Sequence, residues 1–99
     1  MARIEFAPEV FNDVDRFFDH YACTSLGEAP ARMTELLQAV DILGHSPLVG
    51  QPFRHGKREL VIGRSNHGYV ALYRYVPDID TVFVLAFRSQ RESGFKHDA

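Results

Sequence analysis

The hydrophobic pattern changes period once along the chain, near Gly50. Arg3-Ile4-Glu5-Phe6 alternates like a short strand and is stopped by Ala7-Pro8. Pro8 suits the first turn of a helix, where its missing N–H costs nothing, and Glu9 complements the positive helix end. Val10, Val14, Phe17, Phe18 and Tyr21 then recur at the spacing of one helical face, with Asp13, Asp15, Arg16 and Asp19 mostly off it. Thr24 to Gly27 reads as a connector, with Pro30 near the start of a second helical pattern. In that pattern Met33, Leu36, Leu37, Val40 and Leu43 form the apolar stripe. Gly44 fits a left-handed C-terminal cap and Pro47 a stop.

Beyond the Pro47–Gly56 loop the period falls to two. Glu59 to Ile62 reads as a strand, Gly63 to Gly68 as a turn, and Tyr69 to Val76 as a β-branched and aromatic strand. Pro77 to Asp80 supplies turn residues, and Thr81 to Phe87, the most apolar segment, suits a central strand. Arg88 to Phe95 is polar and reads as a short C-terminal helix or tail. The order predicts an α+β domain with an N-terminal strand and a two-helix antiparallel hairpin on one face of an antiparallel sheet. The Tyr69–Val76 strand carries large apolar groups on both sides, and helices cover one face only. A protein partner is therefore expected on the other.

Ninety-nine residues, 45% hydrophobic and 24% charged, fit one globular domain over 1–99 and exclude disorder or a coiled coil. The longest apolar run, Val82 to Phe87, is far short of a membrane helix. Met1-Ala2-Arg3-Ile4-Glu5 lacks the basic-then-apolar pattern of a secretory leader, so a cytoplasmic protein with no membrane association is expected. Cys23, alone, has no disulfide partner.

The net charge of −2 hides an asymmetry. Up to Val49 there are three arginines and eight acids, whereas from Gly50 there are eight bases and five acids. A general nucleic-acid binder is usually basic throughout, so any anionic partner should meet the C-terminal half. The five histidines show no metal-ligand spacing, and no serine sits in a nucleophile elbow. No phosphate-binding glycine loop is present, and neither a cofactor nor a metal is expected. The basic residues are the cluster with chemical content. Arg54, Lys57, Arg58 and Arg64 flank the first hairpin strand, and Arg88 and Arg91 follow the last. They are either solvated edge charges or an anion or acidic-protein site, with Arg88 best placed because it ends the central strand.

Three segments carry a family resemblance: Arg58-Glu59-Leu60-Val61-Ile62, Gly68 through Tyr75, and Val82 through Glu92. Together with the Ser46-Pro47 to Pro52 loop they resemble the RelE/ParE superfamily, the toxins of type II toxin–antitoxin pairs. The resemblance spans nearly the whole chain and implies the same α+β fold. In the RelE-like branch, which cleaves ribosome-bound mRNA, it would place an arginine directly after Gly-Tyr and a tyrosine near the end. This chain has Val70 and Phe95 there, which can neither stabilise a phosphorane nor exchange a proton.

The ParE-like branch, which inhibits DNA gyrase without a visible catalytic set, is the closer match. The resemblance thus implies a growth-inhibiting toxin of the plasmid-stabilisation kind, neutralised by a cognate antitoxin, ParD-like or a similar small protein. Arg58, Arg74, Arg88, Arg91 and Phe95 are candidates for target contact, and Val70, Leu72, Arg54 and Lys57 for antitoxin binding. Two alternatives stay open. One is a RelE-like endoribonuclease using Lys57, Arg58, Arg74 and Arg88; the other is a non-toxic member that only binds its antitoxin.

Overall fold

The computed structural model describes residues 1–24, 29–63 and 68–90, with the side chains of 17–24 and 29–32 outside that description. Strand β1 (Arg3–Phe6) leads into α1 (Glu9–Thr24) and α2 (Ala29–His45). Four strands follow: β2 (Gln51–Pro52), β3 (Arg58–Ile62), β4 (Tyr69–Val76) and β5 (Thr81–Ser89). The expected strands and both helices are therefore present. The sheet runs β1-β5-β4-β3-β2, antiparallel throughout except that β1 lies parallel to β5. That placement puts the two most apolar segments, β4 and β5, at the centre. Tyr73, Ala71, Val82, Val84 and Ala86 are all fully buried there.

One core joins the helices to one face of the sheet. Val10, Leu36, Ala39 and Leu43 pack with Ile62, Tyr69, Ala71, Tyr73, Val82, Val84 and Phe87. The β5 register slips by one residue, because Leu72 pairs with Ala86 but Tyr73 pairs with Val84. Leu85 is the extra residue of this bulge, and it turns Phe87 toward the helices in place of Ala86. The opposite surface, turned away from both helices, is called the far face below.

Several details differ from the sequence reading. Leu37 is 60% exposed, and the inward stripe of α2 runs through Leu36, Ala39 and Leu43 instead. Asp13, expected mostly off the apolar face, is 1% exposed. The reason is β1, which ends opposite Val84 while β5 runs on to Ser89. In that unaccompanied stretch Asp13 Oδ2 accepts the Phe87 N–H at 3.0 Å, and Arg16 holds Oδ1 at 2.9 Å.

Gly44 does not cap α2 in a left-handed conformation but lies inside the helix. A Cβ there would come within 2.7 Å of Met1 Cε, and the Gly44 carbonyl accepts the Ala2 N–H at 2.7 Å. The glycine thus packs beneath the N-terminus, although the group a Cβ would meet most closely is the movable end of the exposed Met1 side chain. The loop after α2 holds a short strand and one 3-10 turn, Arg54–Gly56, and Arg88 and Ser89 extend β5 rather than starting a helix or tail. The rest of that expected C-terminal element lies outside the described residues, as do Cys23 and the stripe positions Phe17, Phe18 and Tyr21. No helix among the described residues is long and apolar enough to cross a membrane.

Candidate functional site

Strand alternation divides the basic residues between the two faces. Arg58 pairs with Tyr73 in register and shares its helix-facing side. From there its guanidinium donates to the Gly50 carbonyl at 2.8 Å and the Leu48 carbonyl at 3.3 Å. The Tyr73 hydroxyl accepts the Gly50 N–H at 2.8 Å, so one turn is clasped from both sides. Gly50 is required by contact, since a Cβ would lie 2.6 Å from the Glu59 carbonyl and 2.7 Å from the Tyr73 ring. Burial raises the Tyr73 phenol above its ordinary pKa, opposed by the Gly50 hydrogen bond and the Arg58 charge. Arg58 thus serves the loop that follows α2.

The other described cations belong to the far face or its end. Arg74 lies opposite Phe83, and its guanidinium also donates to the His55 carbonyl, tying down the 3-10 turn. His55 adopts φ 58°, a left-handed conformation that the Arg74 bond helps to hold. Arg54 is exposed, with its guanidinium 5.2 Å from the Phe53 ring centre. Lys57 is 9% exposed.

Arg88 pairs in register with Val70. Its Nη2 stands 4.0 Å from Glu59 Oε2, with the two side chains 21% and 25% exposed. Glu59 is the residue that inspection of the sequence passed over. The alternation of Lys57, Glu59 and Val61 places it on this face, but only the register sets it near Arg88.

Val70 and Leu72, the apolar candidates for antitoxin contact, lie on the far face but are only 4% and 1% exposed, so neither is available at the surface of the chain. Apolar surface lies instead at Val61, 62% exposed, and at Phe6 and Ile79. Phe6 and Ile79 line a depression between β1 and β5 with Phe83 and Leu85, rimmed by Arg3 and Glu5. The Tyr69 and Tyr73 side chains share the helix-facing side with Tyr75, whose hydroxyl donates to Asp80 at 2.7 Å. Arg64, Arg91 and Phe95 lie outside the described residues. Among the described residues no group of three histidine, cysteine or acidic side chains fits a metal ion.

Comparison with known proteins bears on this arrangement. The family model for the ParE toxin of the parDE type II toxin–antitoxin system matches residues 4–94. No curated protein sequence matches the chain. Among solved structures, the chromosomal ParDE toxin–antitoxin system of P. aeruginosa superposes with a TM-score of 0.74 at 19% identity, over 90% of this chain and 96% of that one. The RelBE2 toxin–antitoxin complex of Mycobacterium tuberculosis superposes with a TM-score of 0.57 at 20% identity, over 90% and 98%. Both likenesses are of fold.

Proposed function

Because the chain belongs to the ParE toxin family of type II toxin–antitoxin systems, we infer that it acts in the cytoplasm by inhibiting DNA gyrase and is neutralised by a cognate antitoxin. The observation that carries the choice of target is Val70. Cleavage of mRNA by 2′-hydroxyl attack needs cationic stabilisation of the phosphorane and a group to move a proton. Val70 stands buried between Val61 and Arg88, without a donor, where that chemistry would be supported. The Tyr73 and Tyr75 hydroxyls are engaged with Gly50 and Asp80 on the other side.

The ParDE and RelBE2 neighbours are toxin–antitoxin complexes, which supports an antitoxin partner. Its acidic groups would meet Arg54 and the far-face cations, and its apolar groups Val61 or the depression between β1 and β5. RelE-like cleavage is the second reading, favoured by Lys57, Arg74 and Arg88 sharing one face. Arg88→Ala tests the first. Losing one charge-assisted contact costs about 1.5–3 kcal/mol, so gyrase inhibition should weaken about ten- to hundredfold with the melting temperature nearly unchanged. Full inhibition by a folded Arg88→Ala protein would remove Arg88 from the target contact.

A further inference from the structure

The two edges of the sheet are finished differently. Strand β2 closes one with two residues, of which Pro52 has no N–H to offer. Strand β1 forms the other. Arg3 and Ala7 donate their N–H groups toward β5, to the Asp80 and Val84 carbonyls. Strand alternation therefore turns the N–H and C=O groups of Ile4 and Phe6 outward, and no described residue hydrogen-bonds to them there. The outward group before them is already taken, since the Ala2 N–H donates to the Gly44 carbonyl at 2.7 Å. Beside this open edge lie two aromatic rings, Phe6 and Phe11, 41% and 61% exposed with their centres 6.4 Å apart.

We propose that the β1 edge pairs with a second copy of this chain, giving an antiparallel two-fold dimer with one continuous sheet. Only one register satisfies the edge. An axis at Ile4 would drive Phe6 of the partner subunit into the place that Gly44 fills beside Ala2. An axis at Phe6 would set the partner subunit's Pro8, which has no N–H, against Ile4. An axis at Glu5 pairs Ile4 with Phe6 of the partner subunit and exchanges four hydrogen bonds, using every outward group of both copies. It also brings the exposed Phe6 beside Ile4 across the junction, covering apolar surface. The two Glu5 carboxylates then face each other, which alone would be repulsive. Each arrives bound to its own Arg3 at 2.9 Å, so two acids and two bases meet with no net charge. Pairing of β1 with β2, which would build open filaments, is disfavoured by Pro52. The interface is small, so association is weak, with a Kd of about 10–100 µM. The inference does not depend on gyrase being the target.

Sedimentation equilibrium of the purified chain, with amide hydrogen exchange at concentrations well below and well above that Kd, tests it. The Ile4 and Phe6 amides should gain protection as the chain is concentrated, whereas those of Arg3 and Ala7, bonded toward β5, should not change. Phe6→Pro removes an N–H that faces away from β5 and should weaken dimerisation at least about tenfold. Arg3→Gln leaves the facing glutamates unpaired and should weaken it about fourfold, and adding Glu5→Gln should return it to within about twofold of the native chain. The Arg3 side chain is 74% exposed, so this second variant decides the matter if Phe6→Pro does not fold. A chain that stays monomeric, a folded Phe6→Pro chain that dimerises equally well, or a dimer unchanged by Arg3→Gln overturns the proposal. So does protection of Ile4 and Phe6 that appears only when an antitoxin is added, which would give the edge to that partner instead.

Discussion

The Asp13 carboxylate, early in helix α1, completes the hydrogen bonding of β5 by accepting the Phe87 N–H at 3.0 Å. It stands in for the strand residues that β1 does not provide beyond Phe6. Removing it leaves a buried donor without an acceptor and Arg16 without this partner. Asp13→Ala should therefore cost about 2–3 kcal/mol, while Asp13→Asn, which retains an acceptor, should cost about half as much. Urea denaturation measures both. Equal, small losses would mean that the bond to Phe87 contributes little.

Tyr73 links stability to alkaline pH. Its folded pKa lies above the ordinary value of about 10 because the buried phenolate is disfavoured. The folded state thus keeps its proton where the unfolded state loses it. Stability is full below pH 10 and falls as pH rises beyond it toward the folded pKa. The exposed Tyr75 phenol is raised too, by its hydrogen bond to Asp80, and works in the same direction. Tyr73→Phe should reduce the alkaline slope and, near neutral pH, cost about 1–2 kcal/mol through the orphaned Gly50 N–H. Thermal melts from pH 8 upward should record both effects; an unaltered slope would contradict the assignment.

The two adjacent leucines of α2 provide a contrast. Leu36 is 5% exposed within the core and Leu37 is 60% exposed. Leu36→Ala should cost about 2–5 kcal/mol, and Leu37→Ala no more than about 0.5 kcal/mol. Similar melting shifts for both would show that α2 is rotated from the orientation described.

What could be read in the sequence was whatever a local period encodes. Helices α1 and α2 and strands β3, β4 and β5 all followed from spacing. The Leu36–Leu37 ambiguity arose because both residues fit a broad apolar stripe, and only docking against β1 and β3 selects between them. The β5 bulge was hidden by its own hydrophobicity, since six consecutive apolar residues look the same whether Ala86 or Phe87 faces inward. Asp13 read as solvated because its acceptor role depends on where β1 stops. The basic residues were visible individually, but their division between faces was not. Arg58 belongs to the Gly50 clasp, whereas Arg88 meets Glu59 across an intervening strand. Such a relationship exists only once the register is set.

Partner capture gives a further expectation. If acids of the antitoxin meet the cations of the C-terminal half, association should slow as salt rises while dissociation changes little. Stopped-flow mixing with the purified antitoxin would measure this, and a salt-independent association rate would exclude electrostatic steering.

The most direct measurement is a supercoiling assay with purified gyrase and the isolated toxin, run beside a ribosome-bound message. The account predicts that supercoiling is inhibited, that equimolar cognate antitoxin restores it, and that the message remains intact. Cleaved message with gyrase unaffected would contradict it.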